Sequence, residues 1–401
     1  SMFRRTTLAL VCVAALAACE EQTESPVAPV SVTQSAKAEA PLFTLTLLHN
    51  NDAESSLLPS TDNPGIGGIA RFVDVVESLR TTDGRNCGVQ QSSNRSCDVL
   101  LVSSGDNFLA GPEFQASLDD GVPYDAIGLA RLGYDAIALG NHEFDFGTSV
   151  LADFIGDIPG VPFLSANLDI GGEPNLAPVA GQIAAHTIVE TNGGRVGIIG
   201  ATTERLSEIS SPENVMVNPV LPAIQAAVVD LEDQGVNKII LISHLQSANE
   251  DLELVPSLSG VDIVVAGGGD ELLANSRTRL LPGDEDDVDG DYPLFATDSD
   301  GVEVPVVTTS GSYEYVGRLQ VQFNEAGEIV GIDKSSSPVP VIGGSRDAAI
   351  ESLVEAPVAD AVAELAATVV GSTDIELDGT RALVRTRETA YGSLIADAIL
   401  A

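Results

Sequence analysis

The chain of 401 residues has few basic and few aromatic side chains. Lys and Arg together number 19, against 59 Asp and Glu, so the formal net charge is −40. A chain this acidic repels nucleic-acid polymers and anionic lipid surfaces, and we exclude both as main partners. Trp is absent and aromatic residues make up only 4%. Hydrophobic residues still reach 44%, which is ample for a buried core.

Cysteine is also scarce, and two of the four lie near the N-terminus. Arg4 and Arg5 precede an apolar run, Leu8–Leu16, that is too short to span a membrane. The pattern predicts a signal peptide over residues 1–19. Small residues directly before Cys19 resemble a bacterial lipobox, in which this cysteine becomes lipidated; an ordinary cleaved signal peptide is the alternative. Either interpretation predicts export to the periplasm or cell surface. Residues 20–40 are rich in Glu, Ser, Pro, Ala and Thr, which favours a flexible tether.

The other two cysteines, Cys87 and Cys97, bracket a polar stretch that is typical of a loop. In an oxidising compartment a disulfide closing this loop is the default expectation. A metal site built on only two cysteines at this spacing is less favoured.

From about residue 42, strand-like apolar runs alternate with helical patterns, which predicts an α/β fold. Polar, metal-competent residues follow the ends of five separate strand runs. A single Asp after a strand is usually a turn or helix cap, but five clusters in the same placement are not explained by capping. Since ligand sites of open α/β sheets lie at the carboxyl ends of strands, these clusters predict a site. They begin at His49, Gly105, Gly140, Ser243 and Gly267 and contain Asp52, Asp106, Asn141, His244 and Asp270.

Beyond residue 293 the pattern changes. Three runs, 304–309, 315–323 and 328–333, predict a β meander, and residues 335–345 predict a Ser/Pro/Gly linker. Residues 346–370 predict a long Ala-rich helix. We therefore divide the mature chain into an α/β domain over 41–334, a linker and helix over 335–370, and the start of a further domain over 371–401.

Four segments carry a specific resemblance: LHNNDAE at 48–54, SGDNF at 104–108, LGNHEFDFG at 139–147 and ISHL at 242–245. In this order they resemble the calcineurin-like metallophosphoesterase superfamily, in its bacterial 5'-nucleotidase branch. Residues 385–400 resemble the opening of that family's C-terminal nucleoside-binding domain. The resemblance implies a four-layer αββα sandwich, followed by a linker helix and the start of a C-terminal α/β domain.

The resemblance also implies roles for individual residues. Two metal ions, divalent or of mixed valence, would share a site, and each would help activate water and clamp phosphoryl oxygens. Asp106 would bridge the ions, Asp52 would bind the first, and Asn141 and His244 the second. Asn141 and His142 would contact the substrate. His142 with Asp145 resembles the family's catalytic dyad, which stabilises transition-state charge or protonates the leaving oxygen. We interpret His49 and His186 as structural.

Two family motifs are altered. The first, Asp-x-His, reads Asp52-Ala53-Glu54, and the last, Gly-His-x-His or Gly-His-x-Gln, reads Gly268-Gly269-Asp270-Glu271. One interpretation is a surviving, oxygen-rich centre of Asp52, Glu54, Asp106, Asn141, His244 and Glu271, with the participation of Asp270 left open. Hard oxygen ligands favour Mn, Mg, Ca or Fe over Zn. The other interpretation is the loss of one metal position. The first is favoured because the replacements are carboxylates, which are competent ligands.

The expected activity is metal-dependent hydrolysis of phosphate monoesters, with 5'-nucleotides as substrates and phosphate or nucleoside scavenging as the purpose. A broad alkaline phosphatase, a cyclic phosphodiesterase and, more distantly, a sulfur-ester hydrolase are enzyme alternatives. A surface-anchored binding protein with a degraded site is the non-enzyme alternative. We expect a monomer whose only membrane contact is the lipid at Cys19.

Overall fold

The computed structural model describes residues 43–90 and 96–400. The predicted signal peptide, the tether and the lipidation site at Cys19 lie outside these residues, as does the side chain of Cys87. Its expected partner, Cys97, is disulfide-bonded. The first helix continues to Gln90, so the polar stretch predicted as a loop begins as helix. Among the described helices, none combines the length and apolar character needed to cross a bilayer.

The described residues contain eighteen strands. In chain order they are β1 (Phe43–Asn50), β2 (Ser96–Ser103), β3 (Ala136–Ala138), β4 (Phe163–Leu164), β5 (Leu168–Asp169), β6 (Ile183–Ala184), β7 (His186–Thr191), β8 (Gly194–Thr202), β9 (Met216–Val217), β10 (Ile239–His244), β11 (Ile263–Val265), β12 (Leu272–Leu273), β13 (Val288–Gly290), β14 (Leu294–Thr297), β15 (Glu303–Val307), β16 (Tyr315–Phe323), β17 (Ile329–Ile332) and β18 (Ser337–Pro340).

The α-helices of the same residues are α1 (Ile69–Gln90), α2 (Pro112–Asp120), α3 (Tyr124–Leu132), α4 (Thr148–Gly156), α5 (Leu206–Ile209), α6 (Val220–Asp233), α7 (Ala248–Leu254), α8 (Ala348–Ile350), α9 (Ala356–Ala367), α10 (Arg381–Thr386) and α11 (Ala390–Leu400). Short 3₁₀ segments lie at His142–Phe144, Pro174–Gln182, Val255–Ser257 and Asp284–Asp286.

Two large sheets face each other. The first has the strand order β17-β16-β1-β2-β3-β4-β6, with β18 paired to β16, and the second has the order β14-β15-β11-β10-β8-β7. Apolar side chains of both sheets, such as Leu47, Val102 and Ile242, form one core cluster between them. A second cluster lies between the first sheet and α1 to α4, and a third packs α6 against the second sheet. The four-layer αββα sandwich is confirmed.

The parallel strands bring their carboxyl ends to one edge of each sheet. β1 is parallel to β2, so that Asn50 pairs with Ser103, and β2 is parallel to β3. In the second sheet β10 is parallel to both β8 and β11. The polar segments that follow these strands therefore meet where the two sheets face each other.

The predicted meander is wrong in one respect. β15 does not pair with β16; it lies parallel to β11 in the second sheet, whereas β16 and β17 pair antiparallel in the first. The chain crosses between the sheets after β15, which an apolar pattern cannot reveal, because both positions bury the same kind of residue. The stretch predicted as a linker contains β18, an edge strand paired only with β16 among the described strands. Its prolines are tolerated there because an edge leaves some N–H positions unused.

The long helix predicted for 346–370 consists of α8, a π-helical turn at Glu351–Glu355, and α9. Asp347 caps its start by accepting hydrogen bonds from the backbone N–H groups of Ala349 and Ile350. Beyond it, α10 and α11 lie in the segment predicted to begin another domain, and the described part of that segment, up to residue 400, contains no strand.

Candidate metal centre

Three side chains from three strand ends converge into one cluster. Asp52 follows β1, Asp106 follows β2, and His244 ends β10. All three are buried, and one ligand atom of each lies within 4.8 Å of the others. Two carboxylates and an imidazole at this separation form a set that can hold a divalent cation.

The backbone around the cluster is held in an unusual conformation. Asp52 and Asp106 have φ values of 50° and 54°, in the left-handed region that residues other than Gly rarely adopt. The two loops brace each other, because Asp52 N–H donates to the Gly105 carbonyl and Glu54 N–H to the Asp106 carbonyl, both at 3.0 Å. Such strain persists where surrounding contacts over-determine it, which is common at functional sites.

Two glycines make the close approach of these loops possible. A Cβ on Gly140 would lie 2.1 Å from Asp106 Oδ1, so no side chain fits at this position. Gly105 has a φ of 94°, and a Cβ there would lie 2.6 Å from the Gly140 backbone nitrogen. The glycines of the SGD and GNH segments thus let the chain pass beside the Asp106 carboxylate.

Glu143, which sequence reasoning did not assign a role, organises this region. Its fully buried carboxylate accepts hydrogen bonds from the backbone N–H groups of Asp106 and Gly140 through Oε2, at 3.0 and 2.8 Å. Oε1 accepts from Asn107 N–H and from its Nδ2, at 2.8 and 2.9 Å. Burial raises the pKa of this carboxyl group. The side chain therefore joins the loops after β2 and β3 and fixes the position of Asp106.

His244 is oriented for metal binding. Its Nδ1 lies 2.7 Å from the Ser104 carbonyl oxygen and donates to it, which in the neutral ring leaves Nε2 with the lone pair. Nε2 is 2.9 Å from Asp106 Oδ2 and 4.0 Å from Asp52 Oδ1. It is buried yet has no hydrogen bond of good geometry. A buried ring nitrogen without such a bond, facing two carboxylates, is the arrangement expected of metal ligands, so these residues fit a cation.

The electrostatics of the cluster favour positive charge. Burial raises the pKa of Asp52 to about 7, with a further increase from the Asp106 charge, while His244 opposes both. Burial also raises the pKa of Asp106, but the neighbouring His244 and His142 outweigh it and lower the net value. Burial lowers the pKa of His244, and the nearby carboxylates reverse this and raise it to about 10. Two buried carboxylates with ligand atoms within 4.8 Å of each other thus stabilise whatever cation lies among them.

His142 lies beside the cluster and is held by Asp145. Its Nδ1 is 2.6 Å from Asp145 Oδ2, and its Nε2 is 3.8 Å from Asp106 Oδ2. The other oxygen of Asp145 accepts from the Ser210 hydroxyl at 2.7 Å, which fixes the carboxylate. Burial lowers the pKa of His142, but the Asp145 hydrogen bond and the charges of Asp106, Asp145 and Glu54 raise it to about 9. The neighbouring carboxylates therefore favour the protonated imidazole, in which Nε2–H faces the cluster.

Asn141 is buried next to His142, and its Oδ1 accepts a hydrogen bond from Gln246 Nε2 at 2.6 Å. Gln246 has a φ of 94°, which lets the chain turn back toward the site after β10. One lone pair of the Asn141 oxygen stays available. Its assignment as a metal ligand stays a prediction.

Glu54 and Glu271, predicted to replace lost imidazoles, and Asp270, whose participation the sequence leaves open, are not part of this close cluster. Among the described residues, the group of mutually close ligand atoms contains only Asp52, Asp106 and His244. The charge of Glu54 acts on His142. Asp270 is exposed, and its Oδ1 would lie 2.6 Å from a Cβ on Gly311. Their roles as ligands stay predictions.

Glu271 has a more informative position. A Cβ on Gly269 would lie 2.1 Å from Glu271 Oε2. The carboxylate thus occupies the space in which a side chain of residue 269 would begin. Its Oε1 accepts from Ala248 N–H at the start of α7, at 3.1 Å. A side chain at position 269 and the Glu271 carboxylate cannot both occupy this space. The carboxylate at 271 in this position therefore requires a glycine at 269.

The remaining histidines lie outside the cluster. His49 is fully buried, and its Nε2 is 2.8 Å from the Tyr292 hydroxyl. Burial lowers its pKa to about 3, so the ring is neutral. His186 begins β7, and its Nε2 is 3.3 Å from Asp230 Oδ2.

Sequence reasoning missed several supporting residues. Glu143 lies inside the recognised GNHEFD segment, so a signal for it was present. Asn51 donates to Asp52 Oδ2 at 2.7 Å and accepts from Thr309, which ties the first loop to the end of β15. Gln246 and Ser210 lie in segments with no distinguishing pattern, and their roles depend on which loops meet.

The chain is similar to known 5'-nucleotidases. It is 30% identical over 375 residues to the 5'-nucleotidase of Bos taurus, a match that covers 89% of this chain and 59% of the bovine protein. It is 30% identical over 369 residues to the snake venom 5'-nucleotidase of Naja atra, covering 89% of this chain and 65% of that one. No protein-family model matches the chain.

Among solved structures, the 5'-nucleotidase precursor from Thermus thermophilus has a TM-score of 0.73 and 33% sequence identity. The match covers 89% of this chain and 66% of that one. The chain therefore spans about three-fifths of the length of the curated relatives it matches.

Proposed function

The chain belongs to the 5'-nucleotidase family of calcineurin-like metallophosphoesterases, and from this membership we propose that it hydrolyses the phosphate monoester of 5'-nucleotides at a two-metal centre. The observation that carries the proposal is the buried cluster of Asp52, Asp106 and His244, with His142 held beside it by Asp145. We further propose that the protein acts outside the cytoplasm, anchored through Cys19, and scavenges phosphate and nucleosides.

In this proposal Asp106 would bind both metal ions, Asp52 would bind the first, and His244 and Asn141 would bind the second. The metal ions would supply a water nucleophile at neutral pH and neutralise the phosphoryl oxygens. Glu54 and Glu271 would complete the ligand set. An oxygen-rich set favours Mn, Mg, Ca or Fe over Zn.

His142 has a distinct task. Because Asp145 accepts from Nδ1–H, the second proton is on Nε2, which faces the cluster 3.8 Å from Asp106 Oδ2. A proton at that atom can stabilise charge on the phosphoryl group in the transition state, or pass to the leaving ribose oxygen. Asp145 does not touch the substrate in this account; it positions the ring and maintains its charge.

The test uses the full chain, stripped of metal and then given Mn, Mg, Ca, Zn or Fe in turn, with AMP and p-nitrophenyl phosphate as substrates. We expect turnover that depends on one or more of the oxygen-seeking metals and prefers AMP. Asp106→Asn and His142→Ala should each lower kcat by on the order of a hundredfold or more. His186→Ala, which removes a histidine outside the cluster, is the matched control and should leave kcat unchanged.

Glu271→Gln tests the altered last motif separately. If this carboxylate is a ligand, the variant needs a higher metal concentration for half-maximal activity. Unchanged metal dependence would contradict that role without affecting the rest of the centre. A preference for p-nitrophenyl phosphate over AMP would favour a broad phosphatase. Absence of turnover together with absence of stoichiometric metal would identify a non-catalytic binding protein.

A further inference from the structure

Gln246, in the loop after β10, has the largest positive φ of any non-glycine residue that the structure describes. Its φ is 94°. The eight other described non-glycine residues with positive φ have values between 50° and 58°, in the left-handed region that side chains tolerate best. A value of 94° lies beyond that region, where glycine is strongly favoured. The side chain at this position is therefore present at a cost in backbone strain.

Packing against a neighbouring loop imposes this conformation. A Cβ on Gly268 would lie 2.7 Å from Gln246 Cα and 2.9 Å from its backbone nitrogen, so the two backbones are in close contact. The chain is held again two residues later, where Ala248 N–H donates to Glu271 Oε1 at 3.1 Å. A glycine at position 246 would follow the same path without strain. The presence of a glutamine instead indicates that its side chain has a task.

The half-buried side chain of Gln246 joins loops that belong to different sheets. Its Nε2 donates to Oδ1 of the buried Asn141 at 2.6 Å. Asn141 follows β3 in the first sheet, whereas Gln246 lies two residues beyond His244, the last residue of β10 in the second sheet. An Asn amide can turn about its last bond, which exchanges its oxygen and its nitrogen. The donation from Gln246 favours one of these two orientations.

We propose that Gln246 is a positioning residue, which fixes the Asn141 amide relative to His244 so that both side chains serve the same metal ion. The inference rests on the proposed function, in which these two residues bind the second ion. A glycine at position 246 would relieve the strain, but it would also remove the hydrogen bond that spans the two sheets. Hydrogen-bond partners of metal ligands typically contribute about 10–100-fold to metal affinity, which gives the expected size of the effect.

Two variants separate the hydrogen bond from the strain. Gln246→Met keeps a side chain of similar length and keeps the strain but cannot donate, whereas Gln246→Gly loses both. Calorimetric titration of the metal-stripped full chain with Mn²⁺ should show binding weakened about 10–100-fold in both variants. Thermal unfolding of the metal-free chains should give a Tm about 1–4 °C higher for Gln246→Gly than for Gln246→Met, because glycine releases the strain and methionine does not. Gln115→Met, at an exposed position on α2, is the matched control and should leave Mn²⁺ affinity and Tm nearly unchanged.

A merely structural residue would not weaken metal binding in a variant whose fold is the more stable of the two. Mn²⁺ affinity within about twofold of the parent in either variant would overturn the proposal, because both lack the hydrogen bond. A Tm of Gln246→Gly no higher than that of Gln246→Met would overturn it as well, since the strain from which the role is inferred would be absent. A parent chain that binds no Mn²⁺ would contradict both this inference and the proposed function. A parent chain that binds Mn²⁺ without hydrolysing AMP would contradict the proposed function alone, because the titrations still decide the role of Gln246.

Discussion

Replacement of Glu143 by Gln gives a sharp test of how the metal-centre loops are held. The side chain keeps its length, but one of its two acceptor oxygens becomes an NH₂ group. Each oxygen of Glu143 accepts two hydrogen bonds from N–H donors, four in all. In either amide orientation, two buried donors therefore lose their acceptor and face another donor.

An unpaired buried donor costs about 1–3 kcal/mol, so the substitution should lower the free energy of unfolding by about 2–6 kcal/mol. This is a large part of the roughly 5–15 kcal/mol that stabilises a typical domain. One amide orientation frees the backbone N–H of Asp106 and the other frees both donors of the adjacent Asn107. Metal-dependent activity should therefore also fall, even at temperatures at which the variant is folded.

The assay is urea unfolding followed by far-UV circular dichroism, since the chain contains no Trp for fluorescence. Glu208→Gln, at an exposed position on α5, makes the same formal change and should alter stability by less than about 0.5 kcal/mol. A loss below about 1 kcal/mol in Glu143→Gln would refute the reasoning. It would mean that the carboxylate is not the shared acceptor that fixes the two loops.

Further outcomes are expected. Gly105→Ala should destabilise by at least about 2 kcal/mol in thermal unfolding, since its φ of 94° and the backbone contact at 2.6 Å both oppose a side chain; a neutral effect would contradict the loop geometry. Asp145→Asn should lower kcat by on the order of a hundredfold and leave KM nearly unchanged, because it removes the charge that keeps His142 protonated; a pure KM effect would argue against this role. Burial raises the pKa of Asp251 from its ordinary value of 3.8 to about 7. The folded chain therefore binds this proton more tightly than the unfolded chain does. The contribution of Asp251 to the free energy of unfolding is complete below the unfolded pKa and is lost as pH rises toward 7. Urea midpoints from pH 4 to 8 should therefore decline less steeply in Asp251→Asn than in the parent chain, and parallel curves would contradict the shift. Treatment with a chelator should abolish activity and lower Tm, and added metal should restore both. An unchanged Tm would mean that metal bound at the cluster does not stabilise the fold.

Much of the fold follows from local pattern. The apolar runs that became β1, β2, β10 and β11 are short, bounded by turn residues and followed by polar clusters, and such runs predict buried parallel strands. The sandwich itself required the resemblance, because periodicity does not reveal which sheet a strand joins. β15 illustrates this limit, since its sequence would suit a meander with β16 equally well.

For the candidate site too, the sequence indicates some of the residues, and only the packing of the chain determines where the others lie. Residue type and position after a strand were enough to predict a site at the strand ends that carry Asp52, Asp106 and His244, and the family resemblance implied that these residues are its metal ligands. The amino-acid pattern did not indicate that Glu54 and Asp270 would lie outside the tight cluster. That depends on how the loops after β1 and β11 pack, because left-handed φ values occur both in Glu54 and Asp270 and in the clustered Asp52 and Asp106.

The chemistry available to this protein can be read directly from its residues: an acidic chain, few histidines, and metal-competent side chains at the ends of parallel strands. Which of these side chains meet depends on how the chain packs. Three ligand atoms within 4.8 Å of one another come from residues as far as 192 positions apart, 52 to 244. That proximity is set by the packing of two sheets, by glycines too small to block it, and by Glu143, whose four hydrogen bonds join loops that no local pattern connects.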